Sequence, residues 1–167
     1  LEDQAETVLL RLARGSGARS LAAMAPESGL WRRPFLRLPR STVRTAATEA
    51  LEPLGLRSWS DPHNDDSSFA RVRVRTVLPE LDAAVGGGAV LGLARTADLL
   101  RDDADLLDEL SREAWDRVVE MQDGVPGARC EDLAALHPAL RSRVLRAMVI
   151  AAGAPAESGG IDHVRPV

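Results

Sequence analysis

From residue 89 to residue 121 apolar side chains recur every three or four positions, and a run of that length has few ways to fold. Leu93, Ala97, Leu100, Ala104, Leu107, Ala114, Val118 and Met121 make one stripe, while Asp102, Asp105, Asp108, Glu109, Glu113, Asp116 and Glu120 largely line the other faces. The spacing predicts a long amphipathic helix with a core stripe and a solvated acidic face. Just before it, AAVGGGAV (83–90) reads as a boundary. After it, DGVPG reads as a turn, ARCEDLAAL as a short connector or strand, and HPALRSRVLRAMVIAAG as a buried helix that Pro138 helps to start. The closing AESGGIDHVRPV begins a further helix. The second half is thus predicted to be a small helical domain.

The first half has a different texture. Residues 2–14 read as an amphipathic helix, with Ala5, Val8, Leu9 and Leu12 at helical spacing and Gly15 to close it. Asp3 and Glu6 share one face, because residues three apart are neighbours on a helix. SLAAM reads as a short helix. LWRRPFL (30–36) has strand character cut by Pro34. PRSTVRTAATEALEPLG reads as a helix with Ser41 as N-cap and Gly55 as the stop. LRSWS suggests a short strand. DPHNDDSSF is a polar loop, turning at Asp61-Pro62 and Asn64-Asp65, that leads into ARVRVRTVLPEL.

Composition bounds the function. A chain of 167 residues with 45% hydrophobic content suits one domain or two small ones and is too apolar for wholesale disorder. Its one cysteine, Cys130, excludes an internal disulfide framework and a cysteine-rich metal cluster, and fits a reducing cytosol. No apolar run approaches a membrane span, and no signal peptide is visible. The histidines His63, His137 and His163 lie in unlike contexts and suggest no metal site. Residues 11–75 carry 12 arginines and six acids, whereas residues 81–167 carry nine arginines and 15 acids. A basic half inside a chain of net charge −4 admits a polyanion partner on one side, or arginines that decorate a solvated face. Trp31, Trp59 and Trp115 are expected in packing rather than base stacking.

The helix at 2–14 followed by RGSG, with SLAAM, RRPFL, GLRSWSDPHN and FARVRVRTVLPEL in order behind it, resembles the tRNA(Ile)-lysidine synthetases of the PP-loop ATPase superfamily. The matching residues are Asp3, Gln4, Glu6 and Thr7, then Arg14, Gly15, Ser16 and Gly17, and the likeness covers residues 1–81 well. Glu2 stands where the family has the first acid of an Asp-Asp pair, and Val72 where an asparagine often follows the first arginine of the basic run. The family's ATP loop, Ser-Gly-Gly-x-Asp-Ser, would lie upstream of residue 1. The chain is therefore expected to be the middle of a longer protein, its ATP-binding residues unknown and this fragment alone inactive.

The resemblance implies an α/β fold. Residues 1–78 would be the C-terminal part of a PP-loop parallel-sheet catalytic domain, and residues 79–167 a helical, tRNA-binding middle domain; this chain alone would be predominantly α. It implies a cytoplasmic enzyme that uses ATP and Mg2+ to ligate lysine to the wobble cytidine of isoleucine tRNA through an adenylated intermediate, and it admits a homodimer. By resemblance Asp3 and Glu6 bind lysine, and Arg75 lies closest to the chemistry. Arg14, Arg71 and Arg73 are candidate RNA contacts. Each has a structural alternative: dipole-complementing charges for Asp3 and Glu6, helix termination for Arg14, and ion pairs with Asp65, Asp66 or Glu80 for Arg71 and Arg73. As a strand, 71–75 would put all three arginines on one face; as a helix it would spread them. The rival function is a non-catalytic helical RNA-binding or interaction module; a PP-loop tRNA thiolase fits less well without paired cysteines.

Overall fold

The computed structural model describes residues 1–155 and is predominantly helical. It divides into two compact units, Leu1–Arg101 and Asp102–Val167. The boundary expected at 78/79 falls inside a helix, α4 (Ala70–Ala84). The helix expected to begin in 156–167 lies outside the described residues.

The first unit opens with α1 (Glu2–Leu12), which buries Gln4, Ala5, Glu6 and Val8 and packs against α2 (Ala18–Leu21) and α4. Gly15, at φ 67°, supplies the left-handed turn that ends α1, where the Ser16 N–H reaches the Arg11 carbonyl. The buried apolar set of this unit is short in side chain: Ala5, Val8, Ala22, Leu78, Ala94 and Ala97. Alanines let elements approach closely but bury little area, so polar anchors carry much of the specificity. The chain at 20–24 shows how. Gln4 donates to the Met24 carbonyl at 2.9 Å and accepts its N–H at 3.0 Å. Arg11 donates to the carbonyls of Ser20 (2.6 Å) and Ala23 (3.1 Å), and Arg101 to those of Ala22 and Met24. Together they hold Ala23 at a positive φ of 51°.

A short antiparallel pair follows, β1 (Glu27–Ser28) with β2 (Trp31–Arg32), and then α3 (Arg40–Leu51). The helix α5 (Ala89–Val118) begins behind Gly86, Gly87 and Gly88, which all have positive φ. Its first N–H groups, of Ala89 and Val90, are capped from the preceding helix by Asp82 Oδ1 at 2.5 and 3.4 Å. In the second unit an antiparallel hairpin, β3 (Val119–Gln122) with β4 (Val125–Ala128), is followed by α6 (Cys130–Ala135) and α7 (Pro138–Ala151). Ala114, Leu136 and Val144 form its core, with Trp115, Val118, Leu133 and Met148 packed around them. The His137 side chain caps α7 by accepting the Ala139 N–H.

Several expectations are corrected. LWRRPFL supplies two strand residues, because Gly29 turns the chain before them and Pro34 has no N–H for a ladder. Ser41 is not the N-cap of α3; Pro39 takes that place, and Arg40 is the first helical residue. LRSWS forms no strand. The long helix stops at Val118 because 119–122 pair with 125–128 across Asp123 and Gly124. ARCEDLAAL ends β4 at Ala128 and then forms the helix Cys130–Ala135, its first turn carrying Glu131 and Asp132 where the dipole favours acids. Trp115 packs as expected, but Trp31 and Trp59 are 72% and 79% exposed. Both sheets among the described residues are two-stranded and antiparallel.

Gln4→Leu is expected to destabilise the fold by about 1–3 kcal/mol, since the Met24 N–H loses the Gln4 oxygen and the Met24 carbonyl is left to Arg101 alone. Urea unfolding monitored by circular dichroism measures the loss, and an unchanged midpoint would show that the pairing contributes nothing.

Candidate functional site

Of the residues singled out in the sequence, Asp3, Glu6, Arg71 and Arg75 meet where α1, the start of α3 and α4 converge. On α1, Asp3 and Glu6 lie one turn apart. On α4, Arg71 and Arg75 are four residues apart and share the face that meets α1. The basic strip is thus a helix, and the helical period separates Arg73 from its neighbours. Arg73 donates to the carbonyls of Ser67 and Ser68 at 2.8 and 2.7 Å. None of the acids at 65, 66 or 80 pairs with Arg71; it turns to α1 instead. Arg14 lies exposed at the end of α1, away from this cluster in the chain's turn toward Gly15.

Glu6 is the centre. Its side chain is 0% exposed, which for a carboxylate is tolerable only with strong partners. Arg40 Nη2 and Arg75 Nε donate to Oε1 at 2.8 and 3.0 Å. Arg71 Nε and Arg75 Nη2 donate to Oε2 at 3.0 and 3.4 Å. Four donors fill the four acceptor positions a carboxylate offers. Burial pushes the Glu6 carboxyl up, but the hydrogen bonds from Arg75, Arg40 and Arg71 outweigh it and hold the group below the usual carboxylate range. Asp3 is different. It is half exposed, and Arg40 (2.8 Å) and Arg71 (3.5 Å) both approach it through Oδ1.

Arg40 was not legible as a site residue, although one signal existed. A cation in the first turn of a helix opposes the macrodipole and wants a tertiary reason. Here α1 supplies it: Glu2 Oε2 accepts the Arg40 N–H at 2.9 Å, and the side chain reaches Asp3 and Glu6. Beside the cluster runs a groove of about 350 Å³, walled by Met24, Pro34, Phe35, Leu36, Leu38 and Val43 and edged by Glu2 and Asp3 on one hand and by Arg32, Arg33 and Arg40 on the other. An apolar trough rimmed by both carboxylates and guanidiniums suits an aliphatic chain that carries charges of both signs, as a free amino acid does.

Residues 1–81 match the model of the PP-loop domain family. Over 164 residues the chain is 50% identical to the tRNA(Ile)-lysidine synthase of Thermobifida fusca, covering 98% of this chain and 48% of that protein. The corresponding enzyme of Streptomyces coelicolor is 48% identical over 170 residues, 99% of this chain and 46% of its own length. That of Mycobacterium bovis is 47% identical over 160 residues, 92% of this chain and 47% of its own. The chain therefore spans about half the length of the curated relatives it matches.

Glu6→Gln is expected to destabilise the protein by about 3–5 kcal/mol near neutral pH, because three guanidinium groups lose their shared counter-charge. The native carboxyl titrates below its unfolded value, so its contribution is complete above the ordinary carboxylate range and disappears as pH falls through the native value. The gap between wild type and Glu6→Gln in denaturant unfolding should then narrow under acid conditions. A gap independent of pH would mean that the charge of Glu6 is not what stabilises the cluster.

Proposed function

We propose that the chain is part of a tRNA(Ile)-lysidine synthase, and that the whole protein ligates lysine to the wobble cytidine of isoleucine tRNA in the cytoplasm. ATP with Mg2+ supplies the adenylyl group that activates the cytidine. The observation that carries the reading is the buried Glu6 under Arg40, Arg71 and Arg75, with half-exposed Asp3 at the mouth of an apolar groove.

Each residue has a physical role in this reading. Free lysine brings a four-carbon stem and two ammonium groups. The groove shelters the stem, and Asp3 accepts an ammonium through a charge-assisted hydrogen bond. A carboxylate there also receives the proton that the attacking amine must lose before it is a nucleophile. Glu6, with its acceptors filled, serves lysine binding through the arginines it holds. Arg75 is fixed by two contacts to Glu6 yet remains about one-third exposed, a pre-oriented cation for the phosphate of the adenylated intermediate. Arg71 is more exposed and faces the same acids, while exposed Arg14 and Arg73 would meet RNA backbone.

The same premise gives the exposed apolar residues a purpose. Leu30, Trp31, Leu56 and Trp59 are unusually bare for a soluble surface. In the whole protein they would pack against the parallel sheet of the PP-loop catalytic domain, of which residues 1–78 supply the C-terminal part, with 79–167 as the tRNA-holding helical domain.

With the full-length protein, tRNA(Ile), ATP and Mg2+, radiolabelled lysine should enter the tRNA. Asp3→Asn should raise the lysine KM by roughly 10-fold or more, the loss of one charge-assisted hydrogen bond. Arg75→Ala should slow single-turnover adenylation at saturating tRNA, while Arg73→Ala should lower tRNA affinity and the salt slope by roughly one unit. Absence of lysine incorporation would favour a non-catalytic RNA-binding module.

A further inference from the structure

We propose that Arg40 is a positioning residue for the lysine step: its Nη2 bridges the two acids of α1 and thereby aims the open side of Asp3 at the incoming ammonium. The proposal rests on the reading of Asp3 as the lysine acceptor.

Three features on three parts of Arg40 converge. Its backbone N–H is held by Glu2 at 2.9 Å, so the start of α3 is tied to the first turn of α1. Its guanidinium then places a single nitrogen 2.8 Å from Asp3 Oδ1 and 2.8 Å from Glu6 Oε1. Its side chain, 29% exposed, borders the apolar groove at the end where Asp3 stands. Glu6 cannot move, being enclosed and saturated. Asp3, half exposed on a helix surface, has rotamer freedom to lose, and Arg40 couples it to the fixed neighbour. Arg71 reaches the same Asp3 oxygen only at 3.5 Å, so the short contact belongs to Arg40.

Charge alone makes the opposite prediction. Asp3 and Glu6 already face three arginines, Arg40, Arg71 and Arg75, and each of these repels a further cation. Removing Arg40 would then improve lysine binding. If Arg40 works by orientation, removing it must weaken lysine binding although the site becomes less positive. The sign of the effect separates the two accounts.

The contact geometry also defines a rescue. Lysine is a poor substitute for arginine where the guanidinium fork is used bidentately. Here one nitrogen makes both bonds, and an ammonium with three donors can do the same. The experiment is steady-state lysine kinetics of the full-length protein at saturating tRNA(Ile) and ATP, for wild type, Arg40→Met and Arg40→Lys, with circular dichroism as the folding control. Arg40→Met should raise the lysine KM about tenfold or more and change kcat by less than about threefold; Arg40→Lys should recover most of the loss. An unchanged or lowered KM in Arg40→Met overturns the proposal, as does an Arg40→Lys protein no better than Arg40→Met. If Arg40→Met fails to fold, Arg40→Lys decides: a KM near wild type supports the single-nitrogen bridge, and a large rise rejects it. Wild-type protein that uses no lysine removes the functional reading and this proposal together, whereas lysine use indifferent to Arg40 removes the proposal alone.

Discussion

One buried charge organises the first unit. Glu6 is enclosed, and a carboxylate out of water is tolerated only when its acceptors are filled by good donors. Those donors come from the first residue of α3 and from two positions one turn apart on α4. Satisfying Glu6 therefore brings three separate stretches of chain to one point. The apolar core there is built largely from alanines, which set close approach but specify orientation weakly. The ion network supplies the orientation, and the same network presents Asp3 to the groove.

The polar anchors at 20–24 follow the same logic. Arg11, Arg101 and Gln4 bind backbone carbonyls, Arg101 while also paired with Asp98, and they fix a loop that holds a non-glycine residue at positive φ. A unit with few large buried side chains gains uniqueness from such bonds, each of which costs more when broken than it contributes when made. Arginine is suited to this work, because its planar fork reaches several acceptors at once.

How much could be read beforehand varies with the range of the interaction. The α1 helix, its acidic face, the glycine that ends it and the helix begun by Pro138 were legible because they rest on contacts within a few residues. Arg71 and Arg73 were not separable in the sequence. They alternate in a pattern that a strand would place together, and the helix splits them, with Arg71 directed to α1 and Arg73 to the loop before it. Residues 119–128 were divided between a helix tail and a turn because their hairpin depends on pairing across the chain. Arg40 escaped entirely, since its partners are more than thirty residues away.

The sequence by itself determined a helical chain of two textures, a family likeness over residues 1–81, and Asp3, Glu6, Arg71 and Arg75 but not Arg40 among the charges that meet at the cluster. Local hydrogen bonding and the period of apolar residues suffice for that much. Only the tertiary structure decided which arginines serve the acids, that Glu6 is sealed while Asp3 stays open, and that Trp31 and Trp59 face outward. The reason is that a charge pair and a burial are properties of the space between elements. Sequence spacing fixes which face of a helix a residue occupies, but not which other helix that face will meet.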